Sequence, residues 1–200
     1  MSLSMYDVSI PPMIRSLESL SKIMTKAVAQ AKDEHIELST LLDARLAPDM
    51  YPFTRQIQIA SDAVKGAAAR LAAVEPPSFP DTETTFPELQ ARIAKTVDFL
   101  KSIKREQIDG AETRTVVMKF PSGDMKFTGL ELLNNFALPN FYFHVTTAYG
   151  LLRHKGIKIG KMDYLGGAEA DKTLRFILIP HEWGKRRAKR GAGGSQRNIL

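Results

Sequence analysis

Cysteine is absent from this chain of 200 residues, and its absence removes several kinds of chemistry at once. Without a thiol the chain has no disulfide, no thiolate nucleophile and no zinc site built on sulfur. Such a composition suits a reducing compartment. No P-loop, dinucleotide-binding glycine motif, zinc-protease motif or G-x-S-x-G elbow occurs either. The sequence therefore gives no support to the enzyme classes that short motifs identify.

Long apolar runs are also absent. No segment approaches the length of about 18 apolar residues that a transmembrane helix needs. Residues 1–16 show no basic region followed by an apolar block, which is the pattern of a secretory signal. We therefore expect a cytoplasmic protein without a membrane span. The content of 44% hydrophobic and 25% charged residues is typical of one globular domain.

Acidic residues are outnumbered by basic ones, and the imbalance is concentrated at one end of the chain. The net charge is +6, of which residues 168–200 contribute +5 through eight basic and three acidic residues. The densest cluster comprises Lys185, Arg186, Arg187, Lys189 and Arg190. We interpret residues 168–200 as a basic, flexible extension, and residues 1–167 as the folded domain. Nucleic acid is not an expected partner, except through weak contact with this extension.

Helical periodicity dominates the first hundred residues. Apolar residues recur at spacings of three and four over Met5–Ala31, Thr54–Val74 and Phe86–Lys104, which predicts three long amphipathic helices. A short helix is expected over 39–44. Pro11 and Pro12 are expected to delay the regular start of the first helix.

The apolar pattern changes to a period of two over residues 114–120 and 124–128. These segments flank a Pro-Ser-Gly turn and predict a β-hairpin. A fourth long helix is expected from about Leu130 to His154, bent at Pro139 and ended by Gly156. Four long helices with a hairpin before the last predict a mainly all-α protein, a four-helix bundle.

Two polar residues, Asn140 and His144, lie four residues apart on the otherwise apolar fourth helix. Four residues make about one helical turn, so both side chains project from one face. They can converge on a metal ion, on a ligand or on a water. The alternative is a satisfied buried pair, in which the imidazole bonds the amide or a buried water.

Further residues are candidates for ligand binding. Asp49 and Gln58, together with Arg45, lie around the entry to the second long helix and could form a polar mouth over the same cavity. In the alternative interpretation, Asp49 caps the following turn and pairs with Arg45. Tyr142 belongs to an aromatic group that either packs a core or dimer interface or lines a pocket beside His144.

Two segments carry a resemblance to a known family. They are LDARLAPDMYPFTRQIQIASDAVKGAAARLA and LPNFYFHVTTAYGLLRHKGIKIGKMDYLG. With the order of the predicted elements, they closely resemble an uncharacterised bacterial family of the DinB/YfiT-like superfamily, over about residues 1–165. The resemblance implies a four-helix bundle that is often a homodimer. Many members of that superfamily bind a divalent metal, and some are thiol-dependent transferases or isomerases.

The family's metal pattern, one His on the second helix and a His-x-x-x-His pair on the fourth, carries over only in part. His144 matches the second histidine of the pair, and Asn140 stands at the first. Near the second-helix position the chain has Ser61 or Asp62 and no histidine. The resemblance therefore implies either a weakly held divalent metal on Asp62, Asn140 and His144, or a degenerate site. For Asp62, which lies at the edge of the apolar stripe, a surface or loop-capping role is the alternative.

Two classes of function follow. In the first, the bundle binds a small molecule or a weakly held divalent metal around His144, with or without catalysis. In the second, it is a non-catalytic, dimeric structural or stress-related protein with a degenerate metal site. An accessible pocket in which Asn140, His144 and a carboxylate converge would favour the first class.

Overall fold

The computed structural model describes residues 4–120 and 123–167. In chain order its elements are α1 (Met5–Asp33), α2 (Leu38–Leu42), α3 (Phe53–Ala72), α4 (Phe86–Ser102), α5 (Arg105–Ile108), β1 (Thr115–Phe120), β2 (Gly123–Thr128), α6 (Gly129–Glu131), a π-helical segment (Leu132–Ala137), α7 (Leu138–His154) and α8 (Lys161–Tyr164). The predicted basic extension, and the nucleic-acid contact expected of it, lie outside the described residues.

The four long helices form a closed bundle. The pairs in contact are α1 with α4, α4 with α3, α3 with α7, and α7 with α1. Each helix turns one apolar face inward, and these faces make a single continuous core. The prediction of a mainly helical bundle with a hairpin before the last long helix is confirmed. No helix within the described ranges is long and apolar enough to cross a bilayer.

Helix α1 begins at Met5, before its two prolines. The hydroxyl oxygen of Ser4 accepts the backbone N–H of Asp7 at 3.2 Å and so caps the first turn. The expectation that Pro11 and Pro12 delay the helix is therefore wrong. The helix tolerates them because the carbonyl groups that lose a donor belong to exposed residues of the first two turns, where water can replace the missing bond.

Helix α4 begins with a capping box at Thr85. The side chain of Thr85 accepts the Glu88 N–H at 3.3 Å, and the Glu88 carboxylate accepts the Thr85 N–H at 2.9 Å. Pro87 occupies a first-turn position, where its missing N–H costs nothing. This cap fixes where the chain leaves the proline-rich linker of residues 73–85 and enters the bundle.

The fourth long helix of the prediction is divided into three parts. After the single turn of α6, residues Leu132–Ala137 form a π-helical segment, in which the Leu138 N–H bonds the carbonyl of Leu133. Pro139 then lies in the first turn of α7 and not in the middle of a bent helix. Because proline lacks an N–H and crowds the carbonyl four residues earlier, the widened turns before it accommodate the break. The end at Gly156, with φ of 87°, is as predicted.

The hairpin packs one face onto the π-helical segment. Strands β1 and β2 pair antiparallel, with Val116 opposite Phe127. The rings of Phe120 and Phe127 lie 6.0 and 6.1 Å from the ring of Phe136. A two-stranded sheet is marginal alone, so this aromatic contact holds it on the bundle. The hairpin thereby becomes one wall beside α3 and α7.

Gly129 allows the chain to pass from the hairpin into α6. A methyl group at this position would lie 2.0 Å from the backbone oxygen of Ala111. We predict that Gly129→Ala lowers the free energy of unfolding by about 3 kcal/mol, because the backbone must move to relieve the clash. Gly150→Ala is the control, since nothing lies within 4 Å there and alanine favours a helix by about 1 kcal/mol. Urea denaturation checks both variants, and equal effects would contradict the close approach.

Candidate functional site

A cleft of about 270 Å³ lies between α3, β1, the π-helical segment and α7. Four of its lining residues are polar: Arg55, Asp62, Arg70 and Asn140. The apolar lining consists of Ile59, Ala63, Ala67, Met118, Leu132, Phe136 and Ala137. The cleft thus combines an apolar floor with a few polar groups, which is the usual composition of a small-molecule site.

Small side chains make room for this cleft. Ala63 and Ala67 stand on the α3 wall, and Ala137 ends the π-helical segment on the opposite wall. Met118 comes from the inward face of the hairpin and lines the same space. Because Ile59, Ala63 and Ala67 are spaced four residues apart, one face of α3 supplies the apolar lining on that side of the cleft.

His144 lies beside the cleft but does not line it. Its side chain is buried, with the residue 7% exposed, and Nδ1 lies 2.6 Å from the Oε1 atom of Gln56 on α3. The Nε2 atom of Gln56 donates to the backbone oxygen of Tyr51 at 3.0 Å. The imidazole therefore has an amide partner, but that amide belongs to α3 and not to Asn140, one turn away.

This hydrogen-bond chain determines the form of the imidazole. Since the Gln56 nitrogen donates to Tyr51, the Gln56 oxygen faces His144 and can only accept. Nδ1 of His144 therefore carries the proton, and Nε2 has no hydrogen-bond partner among the described residues. Burial lowers the pKa of His144, and the nearby Arg55 guanidinium lowers it further. The ring is neutral at pH 7.

Asp62 belongs to an ion-pair cluster around Arg92 of α4. Its Oδ1 atom lies 2.9 Å from Nη2 of Arg92 and 2.8 Å from Nζ of Lys65. Arg92 also meets Asp81 and Glu83, each at 3.0 Å, and its side chain is 1% exposed. Burial alone would lower the pKa of Arg92, but the bond to Glu83 and the three carboxylates outweigh it and raise that pKa. The cluster ties α3, α4 and the linker together and neutralises Asp62.

The other predicted residues lie in different places. Gln58 is buried against the linker, where it accepts from Arg55 at 3.2 Å and donates to Glu83 at 3.0 Å. Asp49 is exposed and has no bond to Arg45, which donates to the backbone oxygen of Met50 instead.

Tyr142 lines a separate cavity of about 160 Å³ with residues of α1 and α8, including Arg15 and Tyr164. Burial raises the pKa of Tyr142, and the neighbouring Tyr164 adds to the shift. Ser61, the alternative to Asp62 on α3, bonds Thr96 at 2.5 Å inside the α3–α4 interface. Of the predicted site residues, the structure therefore brings only Asn140 and Asp62 to one cleft.

Sequence reasoning missed the residues that complete this region: Gln56, Arg55, Arg70 and Arg92. A signal existed for two of them. Gln56 precedes Ala60 by four residues and so falls on the apolar stripe of α3, and Arg92 falls between Leu89 and Thr96 on the buried face of α4. A polar residue on a buried stripe needs a partner, and that requirement pointed to both. Nothing comparable marked Arg55 or Arg70.

The residues present do not fit the metal pattern that the resemblance implies. Within the described ranges, no three His, Cys, Asp or Glu side chains are grouped so as to hold a metal ion. The Asp62 carboxylate already pairs with two cationic side chains, and Arg55 and Arg70 line the same cleft. These positive charges oppose a divalent cation. A metal on His144, Asn140 and Asp62 stays a prediction.

The buried imidazole makes a prediction about pH. Because folding lowers the pKa of His144, the unfolded chain binds the proton more readily below its own pKa of about 6.5. The contribution of His144 to the free energy of unfolding should therefore be constant above this pH and should fall below it, by at most about 1.4 kcal/mol per pH unit.

Urea denaturation between pH 7.5 and 5.5 tests this for the wild type and for His144→Gln, which cannot titrate. The three other histidines are common to both chains, so their contribution cancels. We expect the variant to be less stable at pH 7.5 but to lose less stability on acidification. If the free energy of unfolding falls equally with pH in the two chains, the pKa of His144 is the same in the folded and unfolded states.

Comparison with known proteins agrees with this architecture. The family model of a domain of unknown function, DUF1993, matches residues 5–165. The crystal structure of a DinB family member protein from Shewanella denitrificans is 37% identical, with a TM-score of 0.76, and the match covers 83% of this chain and 94% of that chain. No curated protein matches the chain. The resemblance seen in the sequence is thus confirmed: the chain belongs to the DUF1993 family of uncharacterised DinB-like proteins.

Proposed function

We propose that this protein binds a small organic molecule in the cleft between α3 and α7. The observation that carries the proposal is the composition of the cleft, an apolar floor of alanine, isoleucine, methionine and phenylalanine beneath Arg55, Arg70 and Asn140. Asn140 has no hydrogen-bond partner among the described residues, so its amide is available to a ligand. The volume of about 270 Å³ falls below the range of about 300–1,000 Å³ of sites for drug-sized ligands, which favours a small one.

The position of His144 supports the same proposal. The neutral ring lies one turn after Asn140 on α7 and is held by its hydrogen bond to Gln56. Its Nε2 atom has no hydrogen-bond partner among the described residues and is not fully buried. The imidazole therefore keeps an accepting nitrogen near the end of the cleft that Arg55 lines. In this proposal His144 holds α7 in register with α3 and adds a proton acceptor beside the ligand.

Filling the cleft tests this proposal. Ala63→Phe places a ring in the cleft, and we predict that it weakens binding of the neutral probe 4-phenylbutanamide at least tenfold, because probe and ring need the same space (an estimate of about 1.4 kcal/mol or more). Dissociation constants come from NMR titration of the full chain. Ala94→Phe on the exposed face of α4 is the matched control and should bind as the wild type does. Equal binding by all three chains, or none by the wild type, would refute the cleft as the site.

A weakly held divalent metal on His144, Asn140 and Asp62 is the competing proposal for the same region. It is favoured by the available Nε2 atom of His144 and by the unpartnered amide of Asn140, and opposed by the surrounding guanidinium groups. Elemental analysis of protein purified without metal-affinity columns decides between them. We expect far less than one equivalent of metal, and no difference for His144→Ala. Stoichiometric metal that this variant loses would establish the metal site instead.

A non-catalytic, dimeric structural or stress-related role is the alternative to ligand binding. It is favoured by exposed aromatic side chains near the His144 end of the bundle, since Tyr51 is 57% and Phe143 is 54% exposed. Sedimentation analysis of the wild type and of Phe143→Ser measures this directly. A homodimer that the variant dissociates, together with no probe binding, would favour the structural role.

A further inference from the structure

We infer that the ligand of the α3–α7 cleft is a small organic monoanion, a carboxylate with an apolar body. This inference rests on the proposed function and names its ligand class. The charges around the cleft carry it, because one of the two guanidinium groups in the lining has no anionic partner among the described residues.

The polar groups of the cleft differ in how they are paired. Asp62 is neutralised by Lys65 and Arg92, and Arg55 forms an ion pair with Asp81. Arg70 lines the cleft and is exposed, and its guanidinium has neither an ion pair nor a hydrogen bond with any residue of 4–120 or 123–167. An anion in the cleft therefore meets one uncompensated positive charge.

Gly66 shapes the position of that charge. A methyl group at Gly66 would lie 2.5 Å from the Nη1 atom of Arg70, so the guanidinium rests over the bare backbone of α3. Glycine inside a helix costs stability relative to alanine, and here the open space accommodates the guanidinium beside the cleft. Gly66 is thus a positioning residue for Arg70.

The remaining groups limit the ligand to one negative charge. A guanidinium binds a carboxylate through two parallel hydrogen bonds, and the Asn140 amide offers a further donor at the cleft. Asp62 lines the same cleft with its charge already paired, so a second negative charge would find no free cation among the described residues of the lining. Ala63, Ala67, Met118 and Phe136 leave an apolar space for the body of the ligand.

Three probes with the same phenyl group test the inference on the full chain: 4-phenylbutyrate, 4-phenylbutanamide and 3-phenylpropyl phosphate. We expect the wild type to bind the carboxylate about tenfold more tightly than the amide. Arg70→Gln should remove that preference, so that the variant binds the carboxylate and the amide about equally. Arg153→Gln is the matched control, since Arg153 is also exposed, has no side-chain partner in the described ranges and lies outside the cleft.

The variant Gly66→Ala tests the position of the Arg70 guanidinium without changing its charge. It keeps Arg70 but displaces its guanidinium, so the carboxylate should bind less tightly although the helix becomes more stable to heat. If the wild type binds carboxylate and amide equally, and Ala63→Phe blocks both, the cleft is a binding site and the inferred ligand class is wrong. If the phosphate binds more tightly than the carboxylate, the inference that the ligand carries a single negative charge is wrong. If no probe binds, the proposed function fails with the inference.

Discussion

The packing of α3 against α7 is the contact on which the rest of this region depends. At one end the two helices are joined by the hydrogen bond from His144 to Gln56, which is buried and therefore strong in its surroundings. Toward the other end, Ala63, Ala67 and Ala137 leave the helices with too little side-chain volume to fill the space between them. The same interface is thus closed at the imidazole and open at the alanines, and the opening is the cleft.

The Arg92 cluster gives the cleft its electrostatic character. Arg92 of α4 pairs with Asp62 of α3 and with Asp81 and Glu83 of the linker, because a buried guanidinium requires such compensation. The carboxylate that a metal site would need is consequently committed to a structural ion pair. The proposed preference for an anion over a cation rests on the positive charge that remains at Arg70.

Most helices and strands could be predicted from the sequence, but the contacts between their side chains could not. Spacings of three and four residues predicted the first three long helices, and the change to a period of two around a Pro-Ser-Gly turn predicted the hairpin. The π-helical segment was missed, since Pro139 marks a break but not how the chain absorbs it. The bond between Gln56 and His144 joins residues 88 positions apart. It depends on which helices pair and in what register, and no local pattern contains that information.

Methyl NMR of the full chain during titration with 4-phenylbutyrate tests the central claim, that the α3–α7 cleft is a ligand site, most directly. The structure gives reporters on three of its walls: the methyl groups of Ala63, Met118 and Ala137. The account predicts that these signals shift together with one dissociation constant, while Met162 of α8 stays unchanged. Shifts confined to the cavity beside Tyr142, or no shifts at all, would contradict it.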